Sequence, residues 1–288
     1  MTESATDRWP QACARLAGLL YLIVIVGGFF AEVMVRERVT VSGDAAATAR
    51  NIMANEFLYR LGFAAGVVIC ACNMPLVLIF YEFFRRVNAS LSRLMVYFVI
   101  LATAVESLNL LNHYAPLVLL PGRPYLAAFS AAQREALGYV ALRLQSAGFN
   151  ISLAMFGFHF FAAGYLMFRS GFLPRILGAM FGVAGLCYLT NSFAWFLRPP
   201  LAAQLFPYIL APCLVAELSV CLWLPARTAS TLPRNSSSAP HGASVAGTRA
   251  RYCAHFPSSL TVMWPMTQAL MRQSCLFATA RRHGRRRG

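Results

Sequence analysis

Five polar groups stand at comparable positions in five otherwise apolar stretches: Asn73, Glu106, His159, Tyr188 and Glu217. Ionisable side chains are expensive in hydrocarbon and face a bundle interior or a water-filled cavity when they occur there. These are therefore the residues whose types could do chemistry: carboxylate and imidazole for proton transfer, amide and phenol for hydrogen bonds to a ligand. Counted from the arginine at the edge of each stretch, Glu106 is thirteen residues from Arg93 and His159 ten from Arg169. Glu217 is ten from Arg227, Asn73 twelve from Arg85 and Tyr188 thirteen from Arg175. At ~1.5 Å per residue these depths are ~15–20 Å, close to the middle of a bilayer. A second set, Glu32, Asn112, His113, Asn150 and Asn191, comes out deeper, at ~24–30 Å.

The spacing within each stretch adds to this. Glu106, Asn109 and His113 recur at i, i+3 and i+7 and share a helix face. Gln145, Ser152 and His159 recur every seven residues, also on one face. Such stripes predict a shared polar cavity, with Glu106 and Glu217 turned inward and at least one of them near His159. The alternative is a set of interhelical hydrogen bonds that only hold the helices together. Glutamate fits that alternative less well than asparagine, because an unpaired carboxylate in hydrocarbon stays protonated.

Other chemistries need residues that are missing. All 25 basic side chains are arginine and none is lysine. A P-loop lysine, a retinal or pyridoxal Schiff base and a lysine general base are thereby excluded. There is no His-Glu-x-x-His zinc motif and no Gly-x-Ser-x-Gly nucleophile turn. The eight cysteines, at 13, 70, 72, 187, 213, 221, 253 and 275, form no Cys-x-x-Cys pair. Cys70 and Cys72 project to different sides of a helix and make poor joint ligands. Most of the cysteines sit in apolar stretches as small hydrophobes, and no disulfide framework is implied. His113 and His159 differ by ~15 Å in depth, which does not suit two ligands of one haem iron. The expectation is no catalytic residue, no metal and no cofactor.

The elements that position these groups follow from composition. The chain of 288 residues is 58% hydrophobic and only 12% charged, with a mean hydropathy of +0.57. Soluble chains are nearer half apolar and a quarter charged. So little charge cannot cover a water-exposed fold. An ordinary cytosolic enzyme and a disordered chain are excluded; an all-α polytopic transmembrane bundle remains. Six stretches are long enough to span, near 16–35, 61–84, 94–119, 139–168, 176–197 and 206–224. The first is read as an uncleaved helix, since no small-x-small cleavage site follows Phe30. Arg8 and Arg15, Arg85, Arg86 and Arg93, and Arg169 and Arg175 fall on one side of a six-span protein, which places both termini in the cytoplasm. Arg36, Arg38, Arg50 and Arg60 argue the other way.

Local signals refine the picture. Ser42-Gly43-Asp44 before an Ala-rich run predicts a capped surface helix. Ser130-x-x-Gln133 is a capping-box pattern. From 131 to 168 a single helix would measure ~57 Å, so it either projects beyond the bilayer or breaks near Gly138. Gly62/Gly66 and Gly178/Gly182 are Gly-x-x-x-Gly pairs, suited to close helix packing within the bundle or to a face for a second subunit. Pro75 and Pro212 are expected to kink their spans, while Pro174 and Pro207 fit first turns. Ala17-Gly18-Leu19-Leu20-Tyr21-Leu22 echoes Ala184-Gly185-Leu186-Cys187-Tyr188-Leu189, which reads as coincidence.

The chain divides into a six-helix domain, 1–226, and an Arg-rich tail, 227–288. The tail has ten arginines and no acid and is expected to be largely disordered. It reads either as a basic segment on anionic lipid heads or as an accidental extension from off-frame or read-through coding, the second being preferred. Charge alone, without a motif, does not point to nucleic acid.

The stretch Gly164-Tyr165-Leu166-Met167-Phe168-Arg169-Ser170-Gly171-Phe172-Leu173-Pro174-Arg175-Ile176-Leu177-Gly178 resembles a bacterial six-span family, domain of unknown function 4386. Ala17 to Leu22, Gly43-Asp44-Ala45-Ala46-Ala47-Thr48, Asn55-Glu56 with Arg60, Val87-Asn88 with Leu91, and Glu217-Leu218 with Trp223-Leu224 match it in order over roughly 12–226. The resemblance implies an integral protein of the bacterial cell membrane. It brings no established activity, and the tail departs from it. Three functions stay open. One is binding or passage of a small molecule, lipid or proton in the polar interior. The second is a membrane-embedded enzyme on lipid-like substrates. The third is a partner or assembly subunit, homo- or hetero-oligomeric, docking through the glycine faces.

Overall fold

The structure, a computed structural model, describes residues 11–206 and 208–230. The Arg-rich tail from 231 onward, Cys253, Cys275, Arg8 and Pro207 lie outside the described residues. Every regular element among them is helical. Helix α1 (Gln11–Phe29) continues without interruption through a π-helical segment, Phe30–Arg36, into the short α2 (Glu37–Val39). The remaining α-helices are α3 (Ala45–Ala54), α4 (Glu56–Phe84), α5 (Ala89–Leu119), α6 (Ala131–Ser170), α7 (Arg175–Leu197), α8 (Pro199–Leu205) and α9 (Ala211–Ser230), with 3-10 turns at Pro124–Leu126 and Tyr208–Leu210.

Five segments are long and apolar enough to cross a membrane: Cys13–Val39, Glu56–Phe84, Ala89–Leu119, Ala131–Ser170 and Arg175–Leu197. The sixth is a broken one. Pro199–Leu205 and Tyr208–Leu224 meet at 62°. The break lies ahead of α9, so Pro212 is the second residue of that helix and not a kink within it. A proline there removes an N–H that has no intrahelical partner anyway. Pro75 does stand inside α4, and Pro116 stands inside α5.

The long helices pack in a closed ring, each on its chain neighbour and α9 back on α1. Between α4 and α5 lie Arg85 and Arg86, and Arg93 follows at the start of the second turn of α5; this is the arginine end. The other end carries α2, α3 and the loop before α6. The ring's centre at the arginine end is filled by all six helices, with Tyr21, Phe80, Phe84, Met95, Phe160, Phe181, Val220 and Leu224 buried together. A smaller apolar cluster at the α3 end joins Val35, Val39, Ile52, Tyr59, Leu117 and Leu142.

Helix ends carry the expected chemistry. The Asp44 carboxylate accepts from the Ala47 N–H at 2.8 Å and opens α3. Ser130 and Gln133 form both bonds of a capping box. Helix α6 is unbroken for 40 residues, with Gly138 buried in it, so at ~60 Å it projects beyond a bilayer. It ends at Gly171, whose φ of 71° is the left-handed cap that glycine adopts without strain. Pro174, at φ −57°, then caps α7. The Arg-Ser-Gly-Phe-Leu-Pro-Arg piece is thus the tight connection between two antiparallel helices.

Candidate functional site

Helix α6 positions most of the polar groups, because it carries two seven-residue stripes. The first faces α5. His159 Nδ1 lies 3.1 Å from the Met95 carbonyl, Ser152 Oγ donates to the Ala102 carbonyl at 3.0 Å, and the Gln145 carbonyl accepts from Asn109 Nδ2 at 2.9 Å. Each step of seven along α6 is matched by a step of seven backward along α5, as an antiparallel heptad seam requires. A carbonyl only accepts, so the His159 proton sits on Nδ1.

The second stripe, Asn150, Gly157 and Gly164, faces α7. A Cβ on Gly164 would stand 2.7 Å from the Gly182 nitrogen and 2.8 Å from the Gly178 carbonyl oxygen. One on Gly178 would stand 2.7 Å from the Gly164 carbonyl oxygen, and one on Gly185 2.8 Å from that of Gly157. The two backbones touch, and only glycine allows it. Asn191 Nδ2 donates to Asn150 Oδ1 at 3.2 Å on the same seam. Gly62 lies against Val35 and Gly66 against Leu110. Three of the four Gly-x-x-x-Gly residues are therefore taken up inside the bundle; Gly182 packs by its backbone against Gly164.

The polar groups near the α3 end form one network drawn from the first span and α4, α5, α6 and α7. Arg36 reaches back from the π-helical segment. Its NH1 pairs with Glu32 at 2.9 Å and its NH2 donates to Ser146 Oγ at 2.5 Å. The Arg36 side chain is only 21% exposed. Asn109 joins Glu106 at 3.5 Å, and Asn112 donates to Asn109 Oδ1 at 3.2 Å. Asn150 donates to the Ser146 carbonyl at 2.9 Å, which carries the network to Asn191 on α7.

Beside it, Tyr59 and His113 interlock. The Tyr59 hydroxyl donates to the His113 carbonyl at 2.7 Å, His113 Nε2 donates to the Tyr59 carbonyl at 3.2 Å, and the rings stack at 4.2 Å. That leaves His113 Nδ1 as the acceptor for the Gln145 amide at 3.3 Å. The Gln145 Oε1, in a residue only 6% exposed, has no hydrogen-bond partner among the described residues. Thr103 Oγ1 and Ser192 Oγ are left so as well; Gln145 Oε1 differs in being a pure acceptor, which asks for a donor.

The deeper-lying set read from the sequence, Glu32, Asn112, His113, Asn150 and Asn191, thus does assemble, and Glu106 and Asn109 join it. The five-member midplane set does not. Tyr188 donates to Glu217 at 2.5 Å across α7 and α9, with Phe160 edge-on to the Tyr188 ring. His159 is bonded in the α5 seam, and Asn73 is buried on α4 outside both groups. No bond between His159 and either carboxylate occurs among the described residues; depth along a span leaves the angular position open. Gln145, part of the polar stripe on α6, completes the network together with Arg36, Tyr59 and Ser146, which the depth count and the polar stripes do not single out as site residues. The signal that finds Arg36 is its i, i+4 spacing from Glu32. No group of three or more His, Cys, Asp or Glu able to hold a metal occurs among the described residues. Cys213 and Cys221 form no disulfide and donate weakly to the carbonyls of Ala184 and Gly18.

A ring of long apolar helices, with its polar groups turned onto one another and its lipid-facing sides covered in Leu, Phe and Val, defines an all-α membrane protein. The family model for a domain of unknown function, DUF4386, matches residues 16–227, and the chain belongs to that family. Comparison with curated proteins and with solved structures gave no match.

Proposed function

We propose that the protein binds a small polar molecule, or the polar head of a lipid, in the network around Arg36, Glu106 and Gln145. The observation that carries this reading is the unpartnered Gln145 Oε1, in a residue whose carbonyl shares Asn109 Nδ2 with the half-buried Glu106 carboxyl and whose neighbour Ser146 meets Arg36. A ligand that donates hydrogen bonds satisfies Gln145 and Glu106, and Arg36 holds the opposing charge. Two features favour binding over passage through the bundle. The apolar cluster around Val39 and Ile52 lies at the α3 end, and the large apolar core fills the ring at the arginine end. Hydrolytic or transfer chemistry on lipids is less well supported, since His159 is bonded to a main-chain carbonyl and not to an acid. Docking through the glycine faces is likewise disfavoured by their use inside the bundle.

The proposed setting is the bacterial cell membrane, with the arginine end and both termini in the cytoplasm, as the clustering of Arg85, Arg86, Arg93, Arg169 and Arg175 favours. Native mass spectrometry of the full chain beside Gln145→Leu tests the binding site. A stoichiometric extra mass that disappears in the variant is expected. An empty protein in both, or a mass retained in Gln145→Leu, overturns it. Enzyme-reporter fusions after Ser230 and in the α5–α6 loop check the orientation.

A further inference from the structure

A second surface feature lies apart from the polar network. Leu91, Leu94 and Phe98 on α5 and Phe158, Phe161 and Tyr165 on α6 line an open apolar groove of about 480 Å³. Its size falls within the range of about 300–1,000 Å³ common for small-molecule sites. Phe98 and Phe158 stack in it, with ring centroids 5.2 Å apart. We propose that this groove seats an acyl chain of an anionic phospholipid whose phosphate is held by Arg169.

Three observations support that occupant. The groove runs along the helices for ~10 Å, from Leu91 to Phe98 and antiparallel from Tyr165 to Phe158, which suits an extended chain better than a compact ligand. The α6 stripe that lines it continues at i+4 from Tyr165 to Arg169, so a guanidinium stands on the groove's own face at the arginine end. Arg169 is exposed and makes no ion pair among the described residues, whereas the acid nearest in sequence to that end, Glu82, is paired with Arg85 at 2.8 Å. Exposed Arg86 and Arg93 raise the positive potential around it. An acyl chain beneath a phosphate matches this order of apolar wall, phenol and guanidinium; a neutral apolar helix matches only the wall.

The test uses the full chain in micelles carrying equal amounts of palmitoyl-oleoyl phosphatidylglycerol and phosphatidylcholine, with retained lipid counted by native mass spectrometry. One phosphatidylglycerol is expected to be retained about fivefold over phosphatidylcholine. Arg169→Gln should remove that preference, and Leu94→Trp, which fills the groove from an exposed rim position, should remove the retained lipid. The arginines of the tail are present in all three proteins, so they cancel in the comparison. Equal retention of the two lipids by the parent chain overturns the proposal. So does an undiminished preference in Arg169→Gln, which assigns the effect to other arginines. A dimer that Leu94→Trp dissociates also overturns it, by giving the groove to a second copy. If Leu94→Trp does not fold, Arg169→Gln decides alone. The mass lost in Gln145→Leu should survive Arg169→Gln, which keeps the two sites distinguishable.

Discussion

At the arginine end, Tyr21, Phe80, Phe84, Phe160 and Phe181 fill the middle of the ring, and α6 meets α7 backbone to backbone at Gly164 and Gly178. At the α3 end the first span and α4 to α7 meet through Arg36, Tyr59, Asn109, His113, Gln145 and Asn150, beside a smaller apolar cluster. Lipid tails are as apolar as leucine, so burial of hydrocarbon does not distinguish a folded bundle from separated helices in a bilayer. Shape has to hold the first region and hydrogen bonding the second. A packed apolar centre has no alternative partners to offer. A hydrogen-bonded network does, because each donor could turn to a ligand and leave the helices in place.

The comparison can be broken by attacking each region in its own terms. The largest effect is expected from Gly178→Val: its side chain would enter the main chain of α6, where no rotamer change relieves the clash, destabilising by about 3 kcal/mol or more. Loss of folded yield in a fluorescence size-exclusion assay checks it, and an unaltered thermal midpoint would show that the α6–α7 contact is looser than described. Next comes Arg36→Met, which leaves Glu32 without its cation and Ser146 without its donor. About 2 kcal/mol is expected, less than for an enclosed pair because Glu32 is 37% exposed. Thermal unfolding in detergent measures it. Tyr59→Phe should lose about 1–2 kcal/mol, from a buried His113 carbonyl deprived of the phenol, and proton exchange at the imidazole, followed by NMR, should quicken. The smallest change is Ser130→Ala, about 1 kcal/mol. It is sharpest as a local measurement: hydrogen exchange should rise in the first turns of α6 and stay constant at 145–159. Exchange rising along the whole helix would mean that the projecting end and the network unfold as one unit.

The sequence discloses these two regions unequally. Span lengths, the Asp44 and Ser130 caps and the glycine spacings are readable, because each depends on residues close together along the chain. The stripe Gln145, Ser152, His159 is readable as a face. Its partner is not, since Met95 and Ala102 contribute only carbonyl oxygens, which every residue has. Depth counting places Glu106 and Glu217 at similar levels but cannot tell that α5 and α9 stand on different sides of the ring, so Glu217 meets Tyr188 and Glu106 meets Asn109. Arg36 is easily taken as a loop charge beyond the first span. The π-helical segment and α2 extend that span to Val39 and draw the arginine back among the helices. A π-turn widens the helix locally and is often found where a side chain must be aimed.

The paired stripes on α6 have a consequence for how this chain can change over generations. One stripe keys the helix to α5 and the other to α7, both over the stretch from Gln145 to Gly164. Inserting or deleting one residue there would turn everything beyond it by about 100°, unlocking both neighbours at once. Length variation among descendants should therefore be absent from that stretch and collect in the overhang before it, where α6 works like the free handle of a key whose bit is fully engaged.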